Sequence, residues 1–118
     1  MKAILCKQFG PIDQLAFEET QEPSLTPNSA KIRITACGVN FPDALLVQGL
    51  YQAKPALPFI PGCEFAGVVD AIGDKVTHFS PGDRVLASSL QLGGFAEKAV
   101  IDSSQLFLLP DDISDQQA

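Results

Sequence analysis

The chain has no tryptophan, one tyrosine, one histidine and one methionine in 118 residues. Eight phenylalanines supply nearly all of its aromatic content, so the expected core is aliphatic and phenylalanine-rich. The histidine, His78, falls in an expected loop with no partner nearby, a weak basis for an imidazole metal site. Three cysteines, Cys6, Cys37 and Cys63, are odd in number, far apart and form no C-x-x-C pair. That argues against a disulfide frame and for reduced thiols, with Cys6 and Cys37 read as small buried residues. Basic residues are few, eight against fourteen acids, and they are scattered, so no basic stripe exists to line a nucleic-acid groove. The net charge of −6 is read as a solubility feature. No apolar run approaches the ~20 residues that a membrane-spanning helix needs. Leu5-Cys6 imitates a lipoprotein cleavage site, but the residues before it leave no room for a signal core of ~7–15 residues. The expectation is therefore an untargeted, cytoplasmic chain without membrane or nucleic-acid partners. The nine glycines never form G-x-G-x-x-G, and no βαβ pattern exists to hold such a loop, so a strand–helix phosphate cradle is missing.

What remains is a single-domain length with 46% hydrophobic residues, enough for a core. The pattern is mainly β. Strands are expected over Met1 to Gln8, Leu15 to Thr20 (with Leu15 and Phe17 alternating against polar neighbours), and Lys31 to Ala36. The last of these places Ile32, Ile34 and Ala36 on one face. Further strands are expected over Phe65 to Ile72, Asp83 to Ala87, Phe95 to Ile101 and Leu106 to Leu109. Ser80-Pro81-Gly82-Asp83 carries the residues of a type II turn, and Gly93-Gly94 is read as opening a hairpin. Residues 52–62, with Pro55, Pro58 and Pro61, form an extended loop. Many short strands with turn signals point to a barrel or a sandwich. One internal helix follows Gly38: Asn40 caps it, Asp43 stands three residues on, Pro42 fits the first turn and Gly49 stops it. Near the end, Ser114-Asp115-Gln116-Gln117 is a second capping box, announcing a helix that has almost no residues left to occupy. The expectation from this is a truncated chain.

Several segments resemble one family in order: Ala36-Cys37-Gly38-Val39-Asn40-Phe41-Pro42-Asp43, Gly49-Leu50-Tyr51, Pro61-Gly62-Cys63-Glu64-Phe65-Ala66-Gly67, Val76-x-x-Phe79-x-x-Gly82-Asp83-Arg84-Val85 and Gly93-Gly94-Phe95-Ala96-Glu97. From Met1 to about Pro110 the chain is similar to the amino-terminal domain of medium-chain dehydrogenases/reductases, most of all the zinc-free NADPH:quinone oxidoreductases. The resemblance implies a mainly β, GroES-like, partly open β-barrel with one or two short helices over residues 1–110. Residues 111–118 would begin the connecting helix to a Rossmann domain lying outside this sequence. It further implies NADPH held mainly by that other domain, a cleft between the two, a quinone or enone substrate, and a homodimeric parent. An exposed apolar face is expected where the other domain docks.

The resemblance also bears on zinc. Zinc-dependent members carry Cys where this chain has Asn40 and His where it has Cys63, while Glu64 remains. Asn is a poor zinc ligand, and adjacent Cys63 and Glu64 would point to opposite faces of a strand. The four-cysteine structural lobe is also missing, so no metal is expected. Without a Lewis acid, reduction of an already electron-poor quinone or activated C=C fits better than alcohol oxidation.

Five positions are singled out. Asn40 matches the position facing the nicotinamide, and it also reads as a plain helix cap. Asp43 matches the family's Asn-x-x-Asp, and the same residue reads as the return half of the capping box. Both are taken as cofactor-binding candidates. Tyr51, in Gly-x-Tyr, is the catalytic candidate: a positioned phenol donates a proton or stacks on a flat ring, and otherwise packs the proline loop. Leu46, Tyr51 and Cys63 are expected to line the substrate cleft. Two other functions stay open. One is an enoyl- or acryloyl-thioester reductase of the same superfamily. The other is a non-enzymatic, stand-alone GroES-like barrel that binds a partner.

Overall fold

The computed structural model describes residues 1–88 and 92–118. It contains strands β1 (Lys2–Leu5), β2 (Ala16–Glu19), β3 (Ser29–Cys37), β4 (Glu64–Ile72), β5 (Arg84–Ser88), β6 (Lys98–Asp102) and β7 (Leu106–Leu108), and one helix, α1 (Phe41–Gln48). Single 3-10 turns occupy Ile12–Gln14 and Ser103–Gln105. No helix among the described residues is long and apolar enough to cross a membrane.

Five strands form one antiparallel sheet in the order β6-β3-β4-β5-β7, and β1 and β2 form a separate two-stranded sheet. The two sheets meet along a short seam: Ala3 bridges Ala96, the Ile4 N–H donates to the Phe95 carbonyl at 2.8 Å, and the Glu97 N–H donates to the Lys2 carbonyl at 3.1 Å. The strands curl around a core without closing, which makes the domain a partly open, GroES-like barrel of mainly β structure. β4 is the middle strand, and its side chains Phe65, Ala66 and Val69 are all buried, as expected for a strand covered on both sides. The main core joins Phe65 and Val69 to Ile32, Val85 and Ile101. Register shifts in β3, between Lys31 and Ile32 and again between Ile34 and Ala36, bend this strand around β4.

A second cluster, Cys6, Leu46, Val47, Phe59 and Leu92, fixes α1 and the proline loop to β1. The helix ends where its sequence says it should. Gly49 sits at φ 73°, and its N–H closes the last turn on the Leu46 carbonyl at 3.1 Å.

Two sequence expectations need correction. Gly93-Gly94 does not open a β5–β6 hairpin; β5 pairs with β4 and β7, and β6 pairs with β3. The glycine pair runs instead along the proline loop: Gly93 N–H donates to the Ile60 carbonyl at 2.9 Å, Gly94 N–H to Gly62 at 3.0 Å and Phe95 N–H to Pro61 at 2.9 Å. These bonds use the backbone that a hairpin would need, and β6 starts only at Lys98. In β2 the period is right but Phe17 is 71% exposed, because this narrow sheet has no core on that side.

Candidate functional site

β3 runs through Cys37 to Gly38, and after two exposed residues, Val39 and Asn40, the chain enters α1. Asn40 has extended backbone, as a cap residue should, and a capping box is in place. The Asn40 N–H donates to Asp43 Oδ2 at 2.8 Å. Asp43 is only 3% exposed. Its other oxygen, Oδ1, accepts from the Cys63 thiol at 3.3 Å. So the helix start and the end of the proline loop are tied together through one buried carboxylate. Asn40, by contrast, is exposed. The helix N-terminus is unsuited to a phosphate, since Pro42 lacks an N–H and Asp43 places a negative charge in the first turn.

Cys37, Cys63 and Glu64 lie on the adjoining wall, where β3 and β4 pair. Burial, the hydrogen bond to Asp43 and the charges of Asp43, Cys37 and Glu64 push the Cys63 thiol up to about 12. Burial and then the charges of Asp43 and Glu64 push Cys37 up to about 11. Both therefore carry their protons at neutral pH. A Cβ built on Gly38 would stand 3.0 Å from Glu64 Oε1 and 3.6 Å from Asn40 Nδ2, so these two polar groups converge over a residue with no side chain. Among the described residues, no group of three or more His, Cys, Asp or Glu is placed to hold a metal ion.

A recess of about 200 Å³ opens beside this wall, lined by Cys37, Gly38, Glu64 and Leu86 and, from the C-terminal turn, Asp115 and Gln116. That turn is held by reciprocal bonds, Ser114 N–H to Gln117 Oε1 at 2.9 Å and Gln117 N–H to Ser114 Oγ at 3.2 Å. A larger recess, about 510 Å³, lies elsewhere, between Leu5, the proline loop and Gly93, and includes none of the singled-out residues.

Tyr51 is half-buried and packs, with Cys63, against the second cluster. Leu46 is placed differently from the expectation that it lines a cleft: it is 1% exposed and packs inside that cluster, so its side chain supports α1 from within. Asp43 likewise has both oxygens engaged inside the chain, so it holds Asn40 instead of offering a free group. Apolar side chains flank this region in sequence, with Val39 81%, Phe41 74% and Leu50 68% exposed. The sequence reading missed the part played by the C-terminal turn and by Cys37, which had looked like a small core residue. The capping box at Ser114 was the available signal for the first. Nothing in the local sequence marks the second.

Residues 26–111 match the family model of the alcohol dehydrogenase GroES-like domain. A quinone oxidoreductase-like protein 2 homolog from Nematostella vectensis is 38% identical over 118 residues, which is 99% of this chain and 32% of that protein. Among solved structures, a quinone oxidoreductase from Pseudomonas syringae superposes with a TM-score of 0.94 at 38% identity over 99% of this chain and 36% of that one. The Escherichia coli quinone oxidoreductase complexed with NADPH also gives 0.94, at 31% identity over 100% of this chain and 36% of that one. The chain thus spans about a third of the length of these relatives. It belongs to the alcohol dehydrogenase GroES-like domain family, within the medium-chain dehydrogenase/reductase superfamily whose quinone oxidoreductases are its relatives.

Proposed function

We propose that this chain supplies the acceptor side of an NADPH-dependent quinone oxidoreductase that works without zinc. In this reading residues 1–110 form the GroES-like domain and residues 111–118 lead toward a dinucleotide-binding domain, in a parent that pairs as a homodimer. The observation that supports it is the donor set around α1. Where a zinc site would require thiolate and imidazole, this wall offers the Asn40 carboxamide and a Cys63 thiol that keeps its proton and donates a hydrogen bond to Asp43. Such neutral groups orient a substrate but do not strongly polarise it. They suit a quinone or enone that is already electron-poor.

When bound, NADPH supplies the hydride. The chain's own residues hold and orient. Asn40 offers one donor and one acceptor to a carboxamide or carbonyl edge. Tyr51 gives a flat face for a ring and an O–H for the proton that must accompany the hydride. Nothing in α1 competes for the pyrophosphate, which this reading assigns to the other domain.

The test is a chimera in which this chain replaces the matching amino-terminal residues of the Escherichia coli quinone oxidoreductase. Quinone-dependent oxidation of NADPH should proceed and be unaffected by a chelator, while the 118-residue chain alone should show none. A chimera that folds and binds NADPH yet reduces no quinone would overturn the reading. So would turnover abolished by chelator and restored by zinc.

A further inference from the structure

We infer that Cys63 is a positioning residue: its S–H locks the Asp43 carboxylate, and through it sets the position of Asn40. The inference rests on the preceding reading only for the consequence to turnover; the lock itself belongs to this chain. An ordinary capping box has its acidic residue at the surface, where water fills the second oxygen. Here Asp43 is 3% exposed, and its oxygens accept from the Asn40 N–H at 2.8 Å and the Cys63 thiol at 3.3 Å. Removing the thiol leaves Oδ1 buried without that donor. An unpaired buried carboxylate oxygen is costly, and the cheapest relief is rotation of Asp43 toward water, which frees the Asn40 N–H. Cys63 itself has little freedom to move, because it packs against the cluster that carries Leu46, Val47 and Phe59.

The lock has a chemical corollary. A thiol engaged as a donor to a carboxylate is a poor nucleophile, so a wall that faces electrophilic quinones keeps its cysteine unmodified. The same Asp43 that orients Asn40 thereby shields Cys63.

Amide exchange and thiol alkylation in the 118-residue chain test this. In Cys63→Ala, exchange of the Asn40 amide should accelerate about tenfold, and Cys63→Ser, which keeps a donor, should restore it to within about threefold of the parent. Wild-type exchange in the Ala variant, or a Ser variant as fast as Ala, overturns the inference. Should the Ala variant fail to fold, iodoacetamide decides: Cys63 in the parent should react at least about tenfold more slowly than in Asp43→Asn, and equal rates overturn the lock. In the chimera, Cys63→Ala should raise the KM for NADPH with a smaller fall in kcat, and Ser should restore it. Unchanged KM despite accelerated exchange removes the positioning role. A parent chimera inactive toward quinones, with exchange and alkylation as expected, leaves the lock standing and sinks the reaction assignment alone.

Discussion

Arg84 Nη2 lies 2.7 Å from Asp115 Oδ1, joining β5 to the C-terminal turn across 31 positions. The same nitrogen donates to the Ile113 carbonyl at 2.7 Å, and Thr35 on β3 donates its O–H to Asp115 Oδ2 at 2.6 Å. One carboxylate thus gathers the turn onto two strands of the sheet. It forms part of the recess that also contains Cys37 and Glu64.

A pH dependence follows from this arrangement. The Thr35 hydrogen bond, and then Arg84, hold the Asp115 carboxyl below the ordinary carboxylate range. A depressed folded-state pKa contributes stability above the unfolded value and loses it as pH falls through the folded one. Docking of residues 113–118 should therefore hold at neutral pH and weaken below about pH 4. Asp115→Asn should speed amide exchange in this segment at pH 7, and the difference from the parent should shrink as the pH falls below the ordinary carboxylate range. Arg84→Lys should loosen the segment too, because one ammonium does not reproduce the planar fork. A gap between parent and Asn variant that persists unchanged at acid pH would contradict the assignment.

Gly67 tests the close approach of β3 and β4. A Cβ there would stand 2.3 Å from the Arg33 carbonyl oxygen and 2.6 Å from Ile32 Cγ2. Neither neighbour can step aside, since one is sheet backbone and the other a fully buried core side chain. Gly67→Ala should cost about 3 kcal/mol or prevent folding. Gly82→Ala is the control: its φ is 94° but no atom lies within 4 Å, so only backbone strain is felt, about 1 kcal/mol. Urea midpoints of the two variants decide, and Gly82→Ala proving the more harmful would refute the steric account.

Leu46 shows how far the sequence could be read. Its place in a helix between a capping Asn40 and a terminating Gly49 was legible, because capping is encoded locally. The face of the helix it occupies was not, because that depends on Cys6 and Phe59, which come from distant segments. The alternating period of β3 and the presence of a strand at β4 were legible for the same local reason. The path of Gly93-Gly94 was not, since two glycines read alike whether they turn a hairpin or let the backbone lie against Pro61 and Gly62. The Asp43–Cys63 bond spans 20 positions, and no period or spacing encodes it.

Burial makes the Leu46 prediction direct. Leu46→Ala should lower stability by about 2–5 kcal/mol through lost contacts and a cavity. In the chimera, the fraction that remains folded should keep the parent KM for quinone. A selective change in KM with unchanged stability would put Leu46 back on a cleft surface.

Tyr51→Phe separates the two chemistries the superfamily offers. The ring packs on the second cluster, and phenylalanine preserves that packing, so stability should stay within about 0.5 kcal/mol of the parent. What is lost is one O–H. A hydroquinone can take its proton from water once the hydride has arrived, so quinone turnover by the chimera should fall by less than about threefold. An enoyl-thioester requires a proton at a carbon beside the carbonyl, where a positioned acid contributes about 10²-fold or more. Steady-state rates with both substrates, in the same Tyr51→Phe chimera, read the distinction directly. A small loss with quinone and a large one with the thioester places Tyr51 as a stacking surface for the first and an acid for the second. Equal, small losses with both remove the phenol from any acid role and leave its ring as the part that matters.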